Sequence, residues 1–209
     1  MGAFMRQLLF VAVFACVSMA AVAQNVEVPL VAGGTFTSDA TQAFRPVTIP
    51  SNSTVINSTR QIFVQSGVAL RWTKAKAGDL YFELPLAGVP SQQISAGSPP
   101  TAFDHLSTLF LTPGIRFKLR PVSTISPWVS AGVGWARYSS EVHGVTNKGA
   151  VQFGGGVDFK TKMPALSLRA EVRDFLTGEP NFGLVPPRTG SAGLHRHNVM
   201  PGGGIVLHF

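Results

Sequence analysis

Ile205-Val206-Leu207-His208-Phe209 closes the chain, and its reading decides the fold. Counting back from Phe209 in twos gives Leu207, Ile205, Gly203, Pro201 and Val199, while the alternate set holds His208, Val206, Gly204, Gly202, Met200 and Asn198. One face suits lipid and the other is small or polar, as in a strand whose two sides meet different solvents. A soluble β protein that stops at an aromatic residue by chance could end in the same way, so the rest of the chain has to discriminate.

The amino terminus reads as a processing segment, with 1–23 removed as a signal peptide and a mature domain over 24–209. Arg6 supplies a charged start, Leu8 to Val17 an apolar stretch short for a bilayer, and Ala21-Val22-Ala23 a small-residue cleavage site before Gln24. The single cysteine, Cys16, lies in the discarded part, so no disulfide or thiol chemistry is expected. Lipidation would need cleavage just before Cys16, against the bulky Phe14 and an apolar run that continues beyond it.

Only 13% of the residues are charged, mean hydropathy is positive, and Gly (22) and Pro (15) are plentiful. No later segment is apolar for long enough to be a transmembrane helix, a combination that argues for membrane strands. The formal charge of +7 is spread over strands and turns. Without a basic helix, a zinc-finger spacing or an aromatic-basic RNA motif, it points to anionic lipid headgroups and away from nucleic acid.

About eight alternating segments follow one another, the number in the smallest membrane barrels. The first, Val26 to Thr37, alternates weakly. The second sets Ile62, Val64, Val68, Leu70 and Trp72 against Gln61, Gln65, Gly67 and Arg71; the third sets Leu80, Phe82, Leu84 and Leu86 against Asp79, Tyr81, Glu83 and Pro85. The fourth is sharpest, with Leu109, Leu111, Pro113, Ile115, Phe117 and Leu119 opposite Phe110, Thr112, Gly114, Arg116, Lys118 and Arg120. The fifth (Val129, Ala131, Val133, Trp135), sixth (Val151, Phe153, Val157, Phe159) and seventh (Leu166, Leu168, Ala170, Val172) repeat the pattern. A helix would mix Arg116 and Lys118 with the leucines.

The connections alternate too. Long ones are expected at 38–60, 88–106, 139–147 and 177–196, and short ones at 73–78, 121–126 and 160–164. With both termini in the periplasm, this puts long loops outside and short turns inside. Asn52 and Asn57 lie in N-x-S/T triplets, which read as loop composition.

With eight strands, alternating loop lengths and the terminal Phe209, the chain resembles the eight-stranded outer-membrane β-barrel family, of which the OmpA transmembrane domain is the familiar member. The likeness covers the whole mature chain. It implies an all-β, antiparallel up-and-down transmembrane barrel in a Gram-negative outer membrane. It also implies that Ile205, Leu207 and Phe209 form the signal read by the barrel-insertion machinery. It departs from full-length OmpA in ending at the barrel, so anchoring to the cell wall does not carry over.

Facing inward by parity are Arg71, Glu83, Arg116, Lys118, Asp158, Arg169, Glu171 and Arg173, with glycines at 67, 114, 132, 134, 154, 156, 202 and 204. Eight strands leave just enough room for side chains. Folding the sixth and seventh segments about 160–164 places Glu171 across from Gly154 and Asp158 diagonal to Arg169. A salt-bridged, structural plug is expected, because unpaired buried charges are costly. Removing Glu171 from such a plug is expected to widen the bore and favour anions, and the alternative to the plug is a narrow, gated ion path lined by an excess of basic groups.

No enzyme activity, cofactor or metal is expected. A lipid-A-modifying hydrolase or acyltransferase would need His, Ser and an acid near one interface. His143 with Glu141, and His195 and His197 with Ser191, are the candidates, without a decisive spacing or a nearby carboxylate or Cys to complete a metal site. A soluble periplasmic hydrophobe-binding barrel would place apolar residues inside, against the inward Arg and Glu. The reading is a monomeric outer-membrane barrel with a structural, surface-interaction or small-permeation role, in contact with outer-membrane lipids and lipopolysaccharide.

Overall fold

The computed structural model describes residues 25–37, 57–58, 61–96, 101–120, 124–141, 144–178 and 196–209. The regular elements among them are all strands: β1 (Val26–Thr37), β2 (Asn57–Ser58), β3 (Gln61–Lys74), β4 (Gly78–Ala96), β5 (Thr101–Leu111), β6 (Gly114–Leu119), β7 (Ile125–Ser140), β8 (Gly144–Lys160), β9 (Leu166–Thr177) and β10 (Arg196–His208).

Pairing is antiparallel and closes on itself. The path runs from β4 through β3, β1, β10, β9 and β8 to β7, and β5 and β6 each join β7 back to β4. β5 and β6 are one stave, broken at Thr112 and Pro113 because proline has no N–H for the ladder. Backbone bonds from Thr112 N to Pro85 O (3.5 Å) and from Val133 N to Pro113 O (3.0 Å) carry the sheet across the break. β2 only extends the sheet beside β4, so the barrel has the eight staves read from the alternation. Among the described residues, closure pairs each of the eight staves on both sides, which a chain crossing lipid requires.

The seam is made by the two ends of the described chain. β1 and β10 pair from Glu27↔His208 to Thr37↔Asn198, and Phe209 exchanges backbone bonds with Val26. The carboxy-terminal pentapeptide is thus the strand that completes the ring.

The strand faces fall as the alternation has them. Trp72 (74% exposed), Ile62, Val129, Val133 and Phe153 stand outside, while Arg116, Gln152, Arg173 and Phe175 are fully or almost fully buried within. Trp72, Phe159 and Phe209 lie towards the end that carries the termini and short turns, and Phe36 and Trp135 towards the opposite, loop end. An apolar band with aromatic residues near both rims is the outer surface of a membrane barrel.

Two expectations about connections need correction. β4 runs on to Ala96 and β5 begins at Thr101, and β7 ends at Ser140 with β8 starting at Gly144. The 88–106 and 139–147 segments are therefore mostly paired strand. Polar sequence such as Ser139 and Ser140 marks where a strand leaves an apolar environment, not where pairing stops. Gly144, with φ of 83°, makes the tight reversal into β8. The β8–β9 register also differs: Asp158 pairs directly with Arg169, and Glu171 faces Gly156, with Gly154 facing Arg173. The reversal is centred later than assumed, where the Thr161 side chain bonds Met163 and Leu166 and tightens the turn. The expected loops 38–60 and 177–196 and the processing segment 1–23 lie largely or wholly outside the described residues.

Candidate functional site

The lumen is built in two layers. Towards the turn end, inward side chains form a network of four carboxylates and four cations: Glu27, Glu83, Asp158 and Glu171 with Arg116, Lys118, Arg169 and Arg173. Arg169 grips Asp158 with two bonds, Nε to Oδ1 at 2.7 Å and a second guanidinium nitrogen to Oδ2 at 2.9 Å. Arg173 does the same to Glu83, at 2.8 and 3.3 Å, and also gives Nε to Glu171 at 3.1 Å. Gln65 donates to the same Glu171 oxygen at 2.8 Å. Glu27 receives Arg116 at 2.5 Å and Lys118 at 3.0 Å. Paired, planar donors of this kind offset the large cost of taking charges out of water.

Trp128 sits inside this network. The guanidinium carbons of Arg169, Arg173 and Arg116 lie 4.8, 5.1 and 5.7 Å from its ring, and Arg116 is also 4.7 Å from the Tyr81 ring. Aromatic faces thus attract the same cations that the carboxylates hold. Glycine makes the room: a Cβ at Gly154 would come 2.8 Å from Arg173 Cγ, and one at Gly156 2.8 Å from a Trp128 ring carbon.

Above the network, towards the loop end, the lumen is apolar. Phe63, Leu106, Phe110, Phe175 and Met200 fill it, with Val31, Ala87, Val89, Ala136, Ala150 and Tyr138 around them. The Phe110 and Phe175 rings are 4.7 Å apart, and Tyr138 meets Phe110 edge-on at 6.3 Å. Small residues accommodate this layer as well, since a Cβ at Gly33 or Gly202 would touch the Phe63 ring at 2.8 or 2.7 Å. At its upper margin Tyr138 bonds Thr177 at 2.7 Å, and Arg196 lies over the Tyr138 ring.

The turn end opens as a vestibule of about 490 Å³, lined by Glu27, Tyr81, Lys118, Asp158, Ser167 and His208 among others. Ser167 Oγ lies 2.8 Å from His208 Nε2, and His208 Nδ1 lies 3.6 Å from Glu27 Oε1.

Of the eight inward charges expected from sequence, seven meet in the network. Arg71 stays at the mouth, where it pairs with Asn25 and lies 3.7 Å from Asp79. Glu27 is the member sequence reading missed. Its inner-face companions on β1 are Pro29, Val31, Gly33 and Thr35, so the alternation there is faint. The signal that finds it is closure: as His208 faces inward, its direct partner Glu27 must as well. Adding Glu27 and removing Arg71 balances the charge, so the network does not have the basic excess on which an anion path rested. The apolar layer was missed too, because its aromatics, Phe63, Phe110, Tyr138 and Phe175, come one to a strand, on β3, β5, β7 and β9.

Among the loop candidates, His143, His195 and Ser191 lie outside the described residues. His197 does have a nearby carboxylate, contrary to expectation: its Nδ1 is 2.7 Å from Asp174 Oδ2 on the outer face of β9 and β10. The pair is short of a metal site, and no group of three or more ligating side chains occurs among the described residues.

A closed, eight-stave antiparallel barrel with an apolar exterior and a filled interior defines the fold of the small eight-stranded outer-membrane β-barrels. Among solved structures the chain is similar to Neisserial surface protein A (NspA), with TM-score 0.57 and 13% identity over 88% of this chain and 97% of that one. It is similar also to the outer membrane protein OprG from Pseudomonas aeruginosa, with TM-score 0.51 and 10% identity over 90% and 98%. At these identities the likeness speaks to fold. No protein-family model matches the chain, and no curated protein matches it.

Proposed function

We propose that this chain is exported by a cleaved signal peptide, inserted by the barrel-assembly machinery and held as a monomer in a bacterial outer membrane. There it serves a structural or surface-interaction role with a closed lumen. Its partners in this reading are outer-membrane lipids and lipopolysaccharide. The observation that carries it is the inversion of a soluble barrel: large apolar side chains such as Val129, Val133 and Phe153 stand outside while Arg116, Arg169, Arg173 and Glu171 are buried. A soluble hydrophobe carrier needs the reverse. Small-ion permeation is the weaker reading, because a balanced charge network and an apolar layer lie in series along the bore.

Density separation of membranes from a Gram-negative host expressing the full chain tests the proposal. Recovery with the outer membrane, resistant to alkaline or urea washing and released by detergent, is expected. Recovery in the periplasmic fraction without detergent would overturn it.

A further inference from the structure

Ser167, His208 and Glu27 come together from three adjacent staves, β9, β10 and β1. The order of contacts runs from hydroxyl to imidazole to carboxylate: Ser167 Oγ to His208 Nε2 at 2.8 Å, then His208 Nδ1 to Glu27 Oε1 at 3.6 Å. All three line the vestibule. We propose that this cluster is an ester-hydrolysing site at the turn end of the barrel, with Ser167 as nucleophile, His208 as general base and acid, and Glu27 as the residue that positions the imidazole. The role goes beyond the structural reading and does not depend on it.

Three features distinguish the cluster from a hydrogen bond that merely satisfies a buried serine. The first is order, since each ring nitrogen faces a different partner, as a nucleophile–base–orienter arrangement needs. The second is rigidity. His208 pairs across the seam with Glu27, its N–H bonds Ala165 O at 2.9 Å, and the next residue bonds Val26 O at 2.9 Å. The imidazole therefore hangs from a backbone tied on both sides. The third is access, because a satisfied core pair needs no cavity and this one borders about 490 Å³. The 3.6 Å gap to Glu27 is longer than a hydrogen bond. Catalytic contacts are often long before substrate arrives, and a positive charge on the ring would draw the carboxylate in.

The chemistry balances with water as the only co-reactant. Ser167 Oγ bonds to the ester carbonyl carbon as its proton passes to His208 Nε2. The carbon–oxygen bond to the alcohol then breaks, and the alcohol leaves with that proton. Water, deprotonated by His208, attacks the acyl-serine, and the acid departs as the proton returns to Ser167. Lys160 is the direct cross-strand partner of Ser167 and lines the same vestibule, which places a cation beside the developing oxyanion. Met163, Pro164 and Leu166 give the vestibule some carbon surface, and Arg120 and Lys160 leave its lining net cationic, since Arg71 is set against Asp79 and Lys118 against Glu27 and Asp158. The substrate class that fits is a short-chain acyl ester of an anionic alcohol.

The test uses the full chain folded in detergent micelles, a fluorophosphonate probe read by mass spectrometry, and p-nitrophenyl butyrate as reporter. A single phosphonyl adduct is expected on Ser167 and is absent in Ser167→Ala, checked to keep the native circular dichroism. His208→Gln should slow labelling and hydrolysis by at least about a hundredfold, the size of a general-base contribution, with the circular dichroism of the native barrel retained. Glu27→Gln should lower kcat with little change in KM. Failure of the native protein to react, or equal labelling of folded Ser167→Ala, would overturn the proposal. An unchanged kcat in Glu27→Gln would overturn the part assigned to Glu27.

Discussion

Glu171 is buried on β9 between Arg169 and Arg173, and its partners come from three directions. Arg173 and Gln65 donate to one oxygen at 3.1 and 2.8 Å, and Arg169 lies 3.8 Å from the other. Removing it leaves four buried cations against three carboxylates, although Arg169 keeps Asp158 and Arg173 keeps Glu83, so Glu171→Ala should destabilise the barrel by about 3–5 kcal/mol. Urea titration in micelles, compared with the native protein, measures it; a loss under 1 kcal/mol would mean that lumen water already screens these groups. At this scale parity in the sequence was a good guide wherever a strand carried several charges, as in Arg116 with Lys118 or Arg169 with Arg173. It was silent on Glu27, whose strand has a single inward charge, and on Ser167 with His208. Those two meet through the register of the β9–β10 pair, in which Ser167 faces Val206, two residues from His208, whereas the sequence points to Ser and His together only in loops.

The staves are defined by two faces, and each face makes its own demand. Val133 lies at the middle of β7, outward and 65% exposed, paired with Val151 on β8. An arginine there must reside near the bilayer centre, so Val133→Arg should cost about 2–4 kcal/mol in lipid refolding, while Val133→Leu changes little. Equal stability of the two would reverse inside and outside. The seam makes a second demand, because Phe209 exchanges both backbone bonds with Val26. Deleting Phe209 should leave the chain aggregated or degraded before insertion; a normal yield in the outer membrane would contradict that. Strand identity and facing were legible because period two is local. Register was not, since shifting a reversal by one residue moves every cross-strand partner by two: Glu171 faces Gly156 instead of Gly154. The ends of β4 and β7 were hidden for a different reason. Backbone pairing continues beyond the apolar band, where side chains turn polar and no longer report it.

For the molecule as a whole, the vestibule and short turns lie at one end and the apolar layer is displaced towards the other. If the turn end is periplasmic, an epitope inserted between β7 and β8, at Glu141, should be stained on intact cells. One at Lys162 in the β8–β9 turn should require permeabilisation, and the opposite pattern would invert the topology. The balanced network also changes what a mutation can open. Glu171→Ala loosens the charge layer, but Phe63, Phe110, Phe175, Leu106 and Met200 still close the bore above it, and an apolar constriction excludes ions by excluding water. The central claim, a lipid-spanning barrel sealed by two layers in series, is tested most directly by planar-bilayer recording of the native protein and Glu171→Ala side by side. The account predicts no steady current from either; a large, steady ohmic current from the native protein would contradict it.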